Sequence, residues 1–128
     1  MSSELTLLVY AGLLTILQLF AAVIAAQMQV GLPYLLSPRD TAINLTGIAG
    51  RLQRASNNMF TALTLFAPAI LLLHAQGGFT ATTLLAAQVF LVMRVLYALL
   101  YPLGTPVLRT LSWTVALLAN AVLYFYAI

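Results

Sequence analysis

The sequence predicts an all-α integral membrane protein, a bundle of four transmembrane helices, and three observations carry that reading. Of its 128 residues, 63% are hydrophobic. Only 5% are charged, against roughly 25% in ordinary soluble domains. Apolar runs stand at about residues 5–30, 55–74, 80–102 and 110–128, each near the ~20 residues with which a helix crosses the hydrocarbon layer. With their polar flanks the spans are expected at about 5–30, 50–74, 80–102 and 109–128, forming one domain over residues 1–128.

The first run lacks a basic leader and a small-residue cleavage signal, so it is expected to be a retained span rather than a secretory signal. The segment LPYLLSPRDTAIN that follows carries Pro33, Pro38 and the Ser37-Pro38-Arg39-Asp40 turn signal, which predicts an ordered connection at the membrane surface. The second helix is expected to begin between Thr46 and Ala49 and to bend at Pro68. Gly77-Gly78 marks a tight turn. Pro102, Gly104 and Pro106 separate the third span from the fourth.

Charge sets the expected orientation. All five cations are arginines: Arg39, Arg51 and Arg54 in or near the first connection, Arg94 inside the third span, and Arg109 after the third connection. The second connection has none. By the excess of positive charge on cytoplasmic loops, the first and third connections face the cytoplasm and both termini lie on the outer side; a bacterial inner membrane is the expected location. A net charge of +3 held by arginines in and beside spans points to membrane lipids and anionic or lipophilic small molecules as partners, not to nucleic acid. With no cysteine and a lone His74, no metal site is expected and the chain carries no thiol of its own.

Two polar stripes stand out. Arg51, Arg54, Asn58 and Thr61 recur at three- and four-residue spacing, which places them on one face of the second helix, with Asn57 off it. Arg94, Tyr97 and Tyr101 do the same on the third. Both stripes fall in the same half of the membrane. The only acids are Glu4 and Asp40, and no carboxylate occurs after residue 40. An unpaired arginine inside a span costs at least ~2.5 kcal/mol on insertion scales, and its planar fork suits carboxylate or phosphate. A small polyanion or lipid headgroups are expected to supply the balance. Topology signalling by Arg39, Arg51 and Arg109, and snorkelling by Arg54 and Arg94, remain alternatives. Trp113, Tyr10, Tyr124 and Tyr126 read as interface residues. A proton-coupled exporter is disfavoured, because it needs a carboxylate deep in a span.

These residues resemble the membrane-associated proteins in eicosanoid and glutathione metabolism, the MAPEG family, in a bacterial-type form. The family motif Arg-Ala-x-x-Asn-x-x-Glu is met by Arg54, Ala55 and Asn58, with Thr61 in place of the glutamate. The pattern Arg-x-x-Tyr/His-x-x-x-Tyr is met by Arg94, Tyr97 and Tyr101, and Arg109-Thr110 follows the Gly/Pro break. The resemblance implies a homotrimer with glutathione bound between subunits by Arg51, Arg54, Asn58, Thr61, Arg94, Tyr97 and Tyr101. It also implies that Arg109 activates the thiol, with Thr110 as a hydroxyl donor. Some members place at the position of Gln29 an arginine that holds a ligand carboxylate. The implied activity is a glutathione-dependent transferase or peroxidase acting on lipophilic substrates; the alternative is a non-catalytic lipid-binding or scaffold protein with an altered glutathione site. Thr61 and Gln29 each remove a charge from the family pattern, so weakened or altered glutathione binding is expected.

Overall fold

The computed structural model describes residues 2–40 and 43–128. Thr41 and Ala42, the end of the turn expected after Arg39, lie outside the described residues, as does Met1. Five helices follow in order: α1 (Ser3–Val30), α2 (Leu32–Leu36), α3 (Gly47–Gln76), α4 (Ala81–Leu103) and α5 (Pro106–Ala127). Four of them, α1, α3, α4 and α5, are long and apolar enough to cross a membrane. The chain is an integral membrane protein, as expected.

Each helix begins and ends where its local chemistry dictates. Ser2 caps α1, its hydroxyl accepting from the Leu5 amide. Thr80 and Thr83 form a reciprocal capping box at the start of α4, which satisfies two amide groups that a helix start would otherwise leave open. Gly77 and Gly104 close α3 and α4 in the left-handed conformation, which glycine adopts without a Cβ penalty. Pro106 stands at the start of α5, where its fixed φ suits the first helical turn. The helix α3 continues through Pro68 to Gln76. The first connection differs from a plain loop, because Pro33 near the helix start sets up the single turn α2.

Successive spans pair as neighbours, α1 with α3 and α4 with α5, and the two pairs meet through α3 against α5, α1 against α4 and α3 against α4. Much of the buried surface is alanine, including Ala11, Ala69, Ala87 and Ala116. Small side chains let helix backbones approach closely, which matters where lipid removes the hydrophobic drive between helices. Phe66 and Phe90 fill the centre, stacked with ring centroids 4.1 Å apart. The outer faces are aliphatic, and α1 is the most exposed of the four, with Leu17, Phe20, Ile24 and Met28 all open.

Because neighbouring spans run in opposite directions, the start of α3 and the end of α4 share one end of the bundle with the start of α5. That end gathers the arginines. The other end holds Glu4, Thr83, Gln76 and the last residues of α5.

Candidate functional site

At the arginine end, α3, α4 and α5 bring three guanidinium groups onto two tyrosines. Arg94 stacks on Tyr97, its Cζ 4.3 Å from the ring centroid. Arg109 stands 4.7 Å from the centroid of Tyr101, and Arg54 donates from Nε to the Tyr101 hydroxyl at 3.1 Å. The two tyrosine rings contact each other at 5.4 Å. Cation–π contacts of this kind gain strength when desolvated, and here they order the cations without neutralising them. The described residues form no ion pair: Asp40 lies in the exposed connection, and Glu4 sits at the opposite end beside Thr83.

Arg94 is the most deeply placed of the three, 1% exposed. It donates from Nη1 to Asn58 Oδ1 at 2.9 Å, so the two sequence stripes meet as direct partners. Its Nε and Nη2 are buried without a partner. Tyr97 is buried beneath it, whereas Arg54 is exposed and Arg109 is half-buried. The cluster thus grades from a sealed interior to an open rim. A shallow cavity of about 180 Å³ opens there, lined by Asn58, Tyr97, Arg109, Thr110 and Trp113.

The remaining expected residues divide. Thr110 lines that cavity, but its hydroxyl donates to Pro106 O at 2.8 Å within its own helix. Thr61 donates weakly to Asn57 O at 3.4 Å and borders a second, smaller cavity beside Arg94. Arg51 lies outside the tyrosine cluster. Its Nη1 donates to Pro102 O at 3.1 Å, placing a cation on the last turn of α4, where carbonyls are open and the helix dipole favours positive charge. Gln29 is also elsewhere. Its Nε2 reaches Thr46 O and Oγ1 at 3.2 and 3.1 Å, and its Oε1 accepts from the Thr46 amide at 2.9 Å. That amide clamps the end of α1 to the residue preceding α3.

Close packing positions Arg54 as well. A side chain on Gly50 would bring its Cβ 2.7 Å from Leu45 O and 3.2 Å from Arg54 Nη1. Only glycine lets the incoming chain pass so near the first turn of α3.

Two residues of the site escaped the sequence reading of function. Trp113 read as an interface anchor, yet it lines both cavities beside the cluster. Asn120, buried at 3% exposure, was not singled out; its Oδ1 also lacks a partner. The available signal was the spacing of Arg109, Trp113, Ala116 and Asn120 by four, three and four residues, which defines one face of α5. A larger cavity, about 650 Å³, lies apart from the cluster, between α1, α2 and α3, with mostly aliphatic walls and Ser56 and Asn57 among its polar groups.

Fold and geometry together define a four-span membrane protein with an arginine–tyrosine cluster at one end of the bundle. The chain belongs to the MAPEG family, whose model matches residues 5–128, nearly its whole length. Comparison with curated proteins and with solved structures finds no significant match.

Proposed function

We propose that the protein is a glutathione-dependent transferase or peroxidase acting on lipophilic molecules dissolved in the bilayer. The observation that carries this reading is the uncompensated cluster: Arg54, Arg94 and Arg109 held on Tyr97 and Tyr101 with no carboxylate paired to them among the described residues. A peptide with two carboxylates fits that donor set, since each guanidinium retains N–H groups to give. Glutathione bound here supplies the thiol nucleophile that a cysteine-free chain lacks.

In this reading the division of labour follows exposure. Arg54, on the exposed rim, receives a ligand carboxylate. Arg109, half-buried at the open cavity, holds positive charge where it favours a thiolate over a thiol. With the Thr110 hydroxyl directed to Pro106 O, this stabilisation falls mainly to Arg109. Tyr97, buried and packed on Arg94, keeps the cluster in place and excludes water from its inner side. Arg51 and Gln29 act on the frame, one holding the end of α4 and the other the start of α3.

The exposed length of α1 and the large cavity beside it support assembly through that face, as the family homotrimer requires. The proposed orientation opens the arginine end to the cytoplasm, and the proposed home is a bacterial inner membrane. Thr61 favours a second reading, a lipid-binding or scaffold protein, because the family glutamate is replaced by a hydroxyl that turns back to Asn57 O.

Turnover of a chloronitrobenzene or a lipid hydroperoxide with glutathione by the purified protein tests the assignment. Turnover lost in Arg109→Ala supports it. Saturable glutathione binding without turnover at any pH, or no glutathione binding at all, would overturn the enzyme assignment and leave the lipid-binding or scaffold reading.

A further inference from the structure

A second region of the molecule combines a cation, unsatisfied amides and an apolar wall. The open cleft between α1, α2 and α3, about 650 Å³ in volume, extends from Tyr34 and Arg39 in the first connection to Leu19 on α1 and Asn57 on α3. Leu19 stands 11 residues before Val30, the last residue of α1, or about 16 Å along a helix. The cleft therefore reaches roughly the middle of the ~30 Å hydrocarbon layer. None of the three guanidinium groups of the tyrosine cluster lines it.

The first connection fixes its cation at this cleft. Among the described residues Arg39 alone combines a side chain with a positive φ, 59°, a conformation that persists only where the surroundings impose it. Its amide donates to Ser37 Oγ at 3.2 Å, and its guanidinium donates to Leu35 O from Nε at 3.3 Å and from Nη2 at 2.9 Å. The Nη1 donors stay open. The Ile43 amide, donating to the Tyr34 hydroxyl oxygen at 3.0 Å, ties the far side of the connection to α2. Gln27, Gln53 and Asn57 also line the cleft; all three are exposed, and their side chains make no hydrogen bond among the described residues. Amides without partners are costly in hydrocarbon. Leu19, Val23 and Leu36 are among the aliphatic walls, and no carboxylate lines the cleft.

We propose that this cleft binds one anionic phospholipid from the leaflet on the arginine side. Its phosphate lies on Arg39, its ester carbonyls accept from the amides of Gln27 and Gln53, and one acyl chain follows Val23 and Leu19 towards the middle of the bilayer. Charge selects the headgroup, because a cation with open donors and no carboxylate beside it suits phosphate. The amides select a phospholipid over a free fatty acid, which carries no acceptor beyond its carboxylate. Volume agrees: at ~30 Å³ for a water-sized group the cleft takes about 20 non-hydrogen atoms, enough for one acyl chain and its glycerol ester, while the second chain stays in the bilayer. Where a second copy packs on α1, the lipid is held in the seam. The site rests on neither functional reading above, since its walls exclude the tyrosine cluster and it needs no glutathione.

The test uses the delipidated full chain in detergent without glutathione. Thermal unfolding is followed while dioleoyl phosphatidylglycerol, dioleoyl phosphatidylcholine or oleate is added, and native mass spectra count the lipids retained. Phosphatidylglycerol raises the midpoint by about 5 °C in a saturable way, and one molecule per chain survives activation that strips phosphatidylcholine. Arg39→Gln weakens the phosphatidylglycerol effect about tenfold in concentration. Val23→Trp, which fills the cleft from an exposed wall position, abolishes it. Equal shifts with the two phospholipids overturn the proposal, as does a shift that either variant leaves intact, since the lipid then binds elsewhere. A saturable shift with oleate and none with phosphatidylglycerol overturns it too. Should a variant fail to fold, the spectra of the unaltered protein decide: one retained phosphatidylglycerol per chain supports the site, and none, or retention equal to that of phosphatidylcholine, overturns it.

Discussion

The two ends of the bundle handle polar groups in opposite ways. At the Glu4 end every group named is taken up by a helix terminus. Thr80 and Thr83 cap α4 reciprocally at 2.7 and 3.2 Å, and the Thr83 hydroxyl lies 3.4 Å from Glu4 Oε2. Gln76 Nε2 donates to Ala127 O at 3.0 Å. At the arginine end the helix termini are closed too, by Arg51 on Pro102 O, Thr105 on Leu100 O and Gln29 on Thr46. Yet Arg54, Arg94 and Arg109 have no carboxylate paired to them among the described residues. The difference separates two kinds of polar group: those that close helices hold the fold, and the donors left over after the helices are closed are the ones available to the ligand proposed above.

Substitutions should separate the ends in the same way. Arg109→Ala carries the largest expected effect, a fall in turnover of about 10²- to 10³-fold, as for loss of a donor to developing negative charge, with little change in unfolding temperature. Steady-state kinetics with glutathione beside a thermal melt reads both. Asn58→Leu removes the single side-chain hydrogen bond of a buried guanidinium and should cost about 2–3 kcal/mol of stability, seen as a lowered midpoint in detergent; an unchanged midpoint would mean that Arg94 finds another partner. Gln29→Ala deletes the clamp to Thr46 and should cost about 1–2 kcal/mol while leaving the glutathione dissociation constant unchanged, which isothermal titration can check. Loss of affinity with intact stability would return Gln29 to the ligand site. Smallest is Glu4→Gln, whose amide keeps the contact with Thr83: about 0.5 kcal/mol or less, with turnover unaffected.

Much of this architecture was legible in the sequence, for identifiable reasons. Gly77, Gly104 and Pro106 punctuate the helices because each meets a conformational demand that few other residues satisfy. The stripes of Arg54 with Asn58 and of Arg94 with Tyr97 and Tyr101 showed because charge inside an apolar run is costly and helical spacing is rigid. What stayed hidden depended on distance or brevity. Gln29 finds its partner 17 residues away, and no local pattern announces such a bond. The helix α2 has five residues, too few for a periodicity. Asn120 is one amide in an apolar helix and gains meaning only from the cleft whose lining it shares with Arg94. The pairing of Asn58 with Arg94 was implicit in two stripes at equal depth, but the stripes alone could not say which members would touch.

The clamp between Gln29 and Thr46 also bears on how this chain can change. It fixes both feet of the first connection, so the length of the arch between them is decoupled from the register of α3. Lengthening a loop whose ends are already held together costs little, about 0.6 kcal/mol per doubling. Residues added around Ser37 should therefore be absorbed at the surface while Arg54 keeps its place over Tyr101. The arch is where a tag or reporter can be inserted without disturbing the arginines below.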